Sequence, residues 1–182
     1  PALGLDALPT DLQWTTHSGA PYLGSPEATK GGTFYTNTTG YPLTLRTVGP
    51  DSNNSFRGYL LANQWSLTTL HPNTEQPMPQ IAAEWAVSDD QTTLFFKLNP
   101  EVTWSDGIPV TADDFVYTLE FMRSPAILAP WYNNYFTEQI LEVKKYDDHT
   151  IAVVGHVPKP EIDLHTSLSI APKPRHFHVL DE

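Results

Sequence analysis

Hydrophobic and polar positions fall into a regular pattern from residue 81 onward. Ile81 to Ser88 and Thr92 to Leu98 are strand-like runs, and Leu94-Phe95-Phe96-Lys97-Leu98 carries the strongest β character. Asp89-Asp90 separates them, so the pair predicts an antiparallel hairpin. Val102 to Arg123 then predicts a strand end, a tight turn and a capped helix. Asp106-Gly107 is a turn dipeptide, because glycine accepts positive φ without steric cost. Pro109 cannot donate to a sheet ladder and is expected just outside the paired region. Thr111 suits an N-cap, and Asp113 and Asp114 follow in the first turn, where carboxylates meet the positive end of the helix dipole. Phe115, Leu119 and Met122 recur at helical spacing and predict a buried stripe. Ser124-Pro125 ends the helix, since the residue before proline is pushed out of the α region.

Downstream, Leu128 to Thr137 reads as a short aromatic helix. Glu138 to Tyr146 and Thr150 to Val157 read as strands joined by Asp147-Asp148-His149, and Ile151 to Val154 is apolar enough for a buried strand. Asp163 to Leu168 reads as one helical turn, and another helix begins after Pro174. Upstream the pattern is weaker. Pro1 to Lys30 reads as an irregular arm across a larger body. Thr33 to Thr39 and Tyr41 to Pro50 read as extended segments. Asp51 or Ser52 caps a helix expected to end near Asn63. Gln64 to Leu70 reads as a short strand, and His71 to Pro79, with three prolines, as a loop. The chain has 182 residues and 17 prolines, which argues for a loop-rich mixed fold, α/β to α+β, over a helical bundle.

Charge and composition narrow the function classes. A formal net charge of -11 disfavours nucleic acid, whose phosphates need a basic surface, and tight adhesion to anionic lipid. With no cysteine, disulfides, thiolate catalysis and thiolate metal sites are excluded. No apolar run is long enough to span a bilayer as a helix. No basic-then-apolar leader opens the chain, so a signal peptide is expected to lie outside it.

Candidate chemistry is sparse. His176-Phe177-His178 offers two metal ligands without a third, a weak signal that reads as surface histidines, and His71 reads as a loop residue. The carboxylate pairs Asp89-Asp90, Asp113-Asp114 and Asp147-Asp148 sit at turns and a helix start, where Asp is favoured locally. A glycosidase would need two carboxylates facing each other across a cleft. A hydrolase using cleft carboxylates is therefore a remote alternative, and the chain is read as no enzyme, without cofactor or metal. Trp85 and Trp104 lie in strand-like contexts and read as core, while Trp14 and Trp131 stay open as stacking candidates.

Trp104-Ser105-Asp106-Gly107-x-Pro109-Val110-Thr111-Ala112-x-Asp114-Phe115-Val116-Tyr117 closely resembles the signature of extracellular solute-binding protein family 5, the oligopeptide, dipeptide and nickel receptors of bacterial ABC importers. Pro79-x-Ile81-Ala82-x-x-Trp85 with Phe96-x-Leu98, Asp147-Asp148-His149-Thr150, and Ser167-Leu168-Ser169-Ile170-Ala171-Pro172-Lys173 resemble further family segments in the same order. The start at Lys30-Gly31-Gly32-Thr33, behind a long arm, looks most like the subgroup with the YejA-type peptide receptors.

The resemblance implies a periplasmic binding protein of the type II fold, with a small domain inserted near the N-terminus of two lobes. Residues 1–60 and 160–182 would be parts of the first lobe and 61–159 the inserted α+β domain. The second lobe would be absent, leaving an N-terminal fragment. It further implies an exported, periplasmic monomer that captures peptides in an interlobe cleft and delivers them to the permease subunits of an ABC transporter. A nickel or saccharide receptor of the same family is the alternative, and a docking module for the transporter a third reading. Val48, Gly49 and Pro50 match the family's ligand-pairing strand, and His165 matches a cleft-facing histidine. A plain connecting strand and a packing histidine stand beside those two assignments.

Overall fold

The computed structural model describes residues 1–17, 19, 21, 23–29 and 31–179. In chain order its elements are a 3-10 turn at Leu5–Ala7, α1 (Arg57–Leu61), β1 (Thr68–Leu70), β2 (Pro77–Pro79), β3 (Ala82–Val87), β4 (Thr93–Leu98), α2 (Ala112–Arg123), α3 (Pro130–Glu138), β5 (Ile140–Lys145), β6 (Thr150–Gly155), α4 (Glu161–Leu168) and α5 (Arg175–His178). From residue 81 the expected elements are present.

β3, β4, β6 and β5 lie in that order in one antiparallel sheet, while β1 and β2 form a separate pair. Side chains alternate between the faces of a strand, and here both faces are covered. Leu94, Phe96, Leu98, Trp85, Ile151 and Val153 enter a core shared with Phe115, Leu119 and Met122 of α2, Phe136 of α3, and Leu164 and Leu168 of α4. The opposite face carries Ala86, Phe95, Tyr146 and Ala152 under Leu8, Leu12 and Trp14 of the N-terminal arm. The arm thus lies across the sheet as expected. Leu3 N–H donates to Lys145 O at 2.9 Å and Gly4 N–H to Tyr146 O at 3.0 Å. Thr15 exchanges two backbone hydrogen bonds with Trp85, at 2.8 and 3.0 Å.

The Val102–Arg123 stretch folds as expected except at Pro109, which lies inside the paired region rather than just outside it, at a position where no inward N–H is required. Thr103 bridges Pro109, and Trp104 N–H donates to Ile108 O at 2.8 Å across the turn. Gly107 holds φ at 88°, so Gly107→Ala should cost about 1 kcal/mol; a change within error in urea unfolding would count against this reading of the turn. Asp114 Oδ2 accepts the Thr111 N–H at 3.0 Å, the reach-back arm of a capping box. The same buried carboxylate faces Trp104 Nε1 at 3.3 Å and accepts the Arg175 N–H at 2.9 Å. One side chain therefore joins hairpin turn, helix start and C-terminal segment.

The N-terminal third departs from expectation. Thr33–Thr39 and Tyr41–Pro50 form no strand. A strand needs a neighbour for its amides and carbonyls, and no described segment pairs with either run. Phe34 and Tyr35 are accordingly 92% and 88% exposed. Val48 to Pro50 is a bend leading into a turn, with Ser52 N–H donating to Gly49 O at 3.3 Å. α1 is shorter than expected because Asp51, at φ 61°, turns the chain before the helix; Asn54 Oδ1 then accepts the Phe56 N–H at 3.0 Å. His71–Pro79 contains a strand despite its prolines. His71 N–H donates to Gln76 O at 2.9 Å and Gln80 N–H to Leu67 O at 3.3 Å. Counting inward from both, Pro77 and Pro79 face Leu70 and Thr68 at positions where no inward N–H is required.

Candidate aromatic and threonine-lined ligand surface

Two adjoining depressions lie where β1, α3, α4 and the 170–173 segment meet. The first encloses about 360 Å³ between Val48, Met122, Trp131, Tyr132, Tyr135, Ile170 and Lys173. Its aromatic wall follows from α3. Pro130 opens the helix at a position where no amide donor is missed, and Trp131 and Tyr135, four residues apart, stack at 5.5 Å and 14°. The Tyr135 hydroxyl donates to Ser167 O at 2.7 Å, and burial raises its pKa. Trp131 is 68% exposed, an apolar face left open beside a cavity.

The second depression, about 300 Å³, is lined by Thr68, Thr69, Leu70, His165, Thr166 and Ser169. Thr166 and Ser169 border both depressions, so the surface runs from Val48 to the site of His165. Ser169 Oγ donates to Thr68 O at 2.7 Å and accepts the Thr68 N–H at 2.7 Å. Its proton being used, it accepts from Thr68 Oγ1 at 3.1 Å. Thr68 Oγ1 must then accept from His165 Nδ1–H at 2.8 Å. This fixes the imidazole as the Nδ1–H tautomer. Its Nε2 lone pair is buried without a partner among the described residues, 3.8 Å from Glu161 Oε1. Burial, helped by the charge of His17, lowers the His165 pKa to about 4, so the ring is neutral at pH 7.

Of the four candidates from sequence, Val48 lines the first depression, while Gly49 and Pro50 line neither and make the turn that follows it. His165 is buried beneath the second and holds Thr68 from below. Ser169 falls in the family-like Ser167–Lys173 segment, whereas Thr68, Thr166, Tyr132 and Tyr135 carry no signal in the sequence beyond ordinary polarity or aromaticity.

The other histidine and carboxylate candidates His71, His176, His178, Asp90 and Asp148 have local roles. His71 is a buried turn residue whose Nδ1 accepts from Asn73 and Thr74 N–H at 3.1 and 3.2 Å, leaving Nε2–H to donate to Pro21 O at 2.9 Å. His176 pairs with Asp106 at 2.8 Å, which lowers the Asp106 pKa, whereas His178 stacks on Tyr117 and Phe121. Asp90 accepts from Ser88 and Thr92 in its turn, and Asp148 pairs with Lys145. Trp14 lies under the Lys97 ammonium at 4.3 Å and belongs to the sheet cover. Among the described residues, no three His, Asp or Glu side chains gather as a metal site would require.

Residues 76–179 match the family model for bacterial extracellular solute-binding proteins, family 5, middle region. The chain belongs to this family. It is 34% identical over 116 residues to the periplasmic oligopeptide-binding protein OppA of Escherichia coli, covering 53% of this chain and 21% of OppA. It is 31% identical over 126 residues to the dipeptide-binding protein DppE of Bacillus subtilis, covering 62% and 22%. Among solved structures, Listeria monocytogenes OppA bound to peptide superposes with a TM-score of 0.53 at 27% identity, over 63% of this chain and 25% of that one. The chain thus spans about a fifth of the length of the curated relatives it matches. The family is described as one of bacterial extracellular solute-binding proteins, and the Escherichia coli relative is a periplasmic one.

Proposed function

We propose that this chain forms part of the ligand-binding wall of a peptide-import receptor, an exported monomer that hands peptides to ABC-transporter permease subunits and performs no catalysis. Residues 61–159 would be the inserted small domain, with 1–60 and 160–182 belonging to the first lobe. The observation that carries this reading is the continuous Val48-to-His165 surface in a chain of this family, together with the peptide-binding names of its relatives. An extended peptide can take main-chain hydrogen bonds, which give affinity without reading the sequence. Trp131 and Tyr135 offer stacking area, and Thr68, Thr166 and Ser169 offer adaptable hydroxyls. Val48 would contact the ligand, Gly49-Pro50 would position it, and His165 would fix the rotamer of Thr68.

Isothermal titration of the intact protein with defined tri- to pentapeptides should give saturable binding, with no comparable signal from nickel–histidine or an oligosaccharide. Binding of the metal complex or the sugar alone sinks the peptide assignment. The 182-residue chain by itself should bind the same peptides more weakly than about 10 μM, since a closing wall is needed to bury them.

A further inference from the structure

Lys173 stands between Pro172 and Pro174, whose rings restrict the local backbone. Its own N–H is tied to Thr118 Oγ1 at 2.7 Å, so the side chain leaves from a fixed point. The side chain lines the aromatic depression, and among the described residues Nζ donates only to the Gln64 side-chain Oε1, at a long 3.5 Å. Gln64 Nε2 donates to Thr47 Oγ1 at 3.4 Å, and Arg57 Nε donates to Thr47 O at 3.2 Å. The Arg57 guanidinium also bonds the Tyr132 hydroxyl and lies 5.5 Å from that ring. Thr47, Gln64 and Tyr132 all line the same depression. Two cations therefore converge on one rim through a connected set of side chains.

Neither cation forms an ion pair with a carboxylate among the described residues. Lys97, Lys144 and Lys145 have acidic partners, whereas Arg46, Arg123, Lys159 and Arg175 lack one among the described residues as Lys173 and Arg57 do, so what sets these two apart is their shared position beside the depression. Burial lowers the Lys173 pKa, and the nearby Arg57 charge lowers it further. The Arg57 charge acts on Lys173, and a bound anion would relieve that repulsion.

We propose that Lys173 and Arg57 form a carboxylate-binding subsite at the rim of the aromatic depression, one that receives a carboxylate of the bound peptide. This rests on the peptide-receptor reading. Arg57 supplies a planar fork suited to two parallel hydrogen bonds, and Lys173 a point charge. The stacked Trp131–Tyr135 wall then takes the apolar part next to the anion.

The test titrates the intact protein with Ala-Phe-Ala-Glu and Ala-Phe-Ala-Gln, each as free acid and as C-terminal amide. Removing the recognised carboxylate should weaken binding about tenfold or more. The Glu/Gln pair reports a side-chain carboxylate and the acid/amide pair a terminal one. In Lys173→Met and Arg57→Gln that preference should shrink to about twofold or less. Equal binding of all four peptides overturns the subsite while leaving the receptor reading intact, as does a carboxylate preference that survives in both variants.

A second readout needs neither variant nor peptide. Benzoate at millimolar concentration should raise the titration midpoint of the Lys173 ammonium, followed by NMR, because a bound anion favours the charged form. If no peptide binds but benzoate shifts Lys173, the receptor reading fails and the anion site stands. If benzoate leaves Lys173 unmoved, the anion site fails.

Discussion

Trp85→Ala should lower stability by about 3 kcal/mol and the melting temperature by about 10 °C. Trp85 is fully buried at the junction of three elements. Its backbone bridges Thr15 of the arm, and its ring sits edge-on to His17 at 5.5 Å and to His165 at 5.2 Å. Truncation opens a cavity that touches the sheet, α4 and the arm at once. The usual cost of emptying a buried aromatic site is about 3–5 kcal/mol, and the lower end is expected here for a specific reason. Trp85 Nε1 is buried without an acceptor among the described residues, so removing it recovers part of the desolvation cost. The same argument makes Trp85→Phe mild, about 1 kcal/mol or less, since it keeps most of the ring and deletes the orphan donor. Equal losses in the two variants would show that cavity formation does not set the cost.

Acidification should destabilise the fold through His165. Its folded pKa of about 4 lies below the ordinary imidazole value of 6.5. Above pH 6.5 neither state binds the proton and the stabilisation is fully present. Between pH 6.5 and 4 the unfolded chain takes up a proton that the folded chain refuses, so stability falls as pH falls. The depression corresponds to a loss of about 3 kcal/mol across that window. Urea unfolding at pH 7.5 and pH 4.5, for the wild type and for His165→Gln, isolates the term. The wild type should show the steeper loss, and the variant a slope reduced by most of this amount. Parallel slopes would mean that His165 titrates normally in the folded state, through a proton shared with Glu161, 3.8 Å away.

Legibility in the sequence tracked how local the deciding interaction was. The Asp106-Gly107 turn, the Thr111–Asp114 cap and the Pro125 stop are settled within a few residues, and all three are present. The β3–β4 and β5–β6 hairpins are settled by alternation and a short turn. Thr33–Thr39 failed because β propensity describes fit to a neighbour, and these residues have none among those described. β2 is not legible from proline content, because only its register with β1 places both rings where no donor is needed. For the candidate surface, Val48 and His165 were legible only through resemblance. The hydroxyl relay from Ser169 through Thr68 to His165 spans about a hundred residues of sequence, and no spacing rule reaches that far.

The N-terminal arm has a consequence for behaviour in solution. β3 and β5 are the outer strands of the four-stranded sheet, and outer strands present backbone groups to which a foreign chain can add. Thr15 occupies part of that row on β3, while Leu3 and Gly4 occupy the end of β5. Under the proposed peptide-receptor function, an open edge would risk picking up a peptide in the wrong place, or joining sheet to sheet with other copies. By covering part of each row with its own backbone, the arm shortens the stretch of free edge that a foreign strand could use.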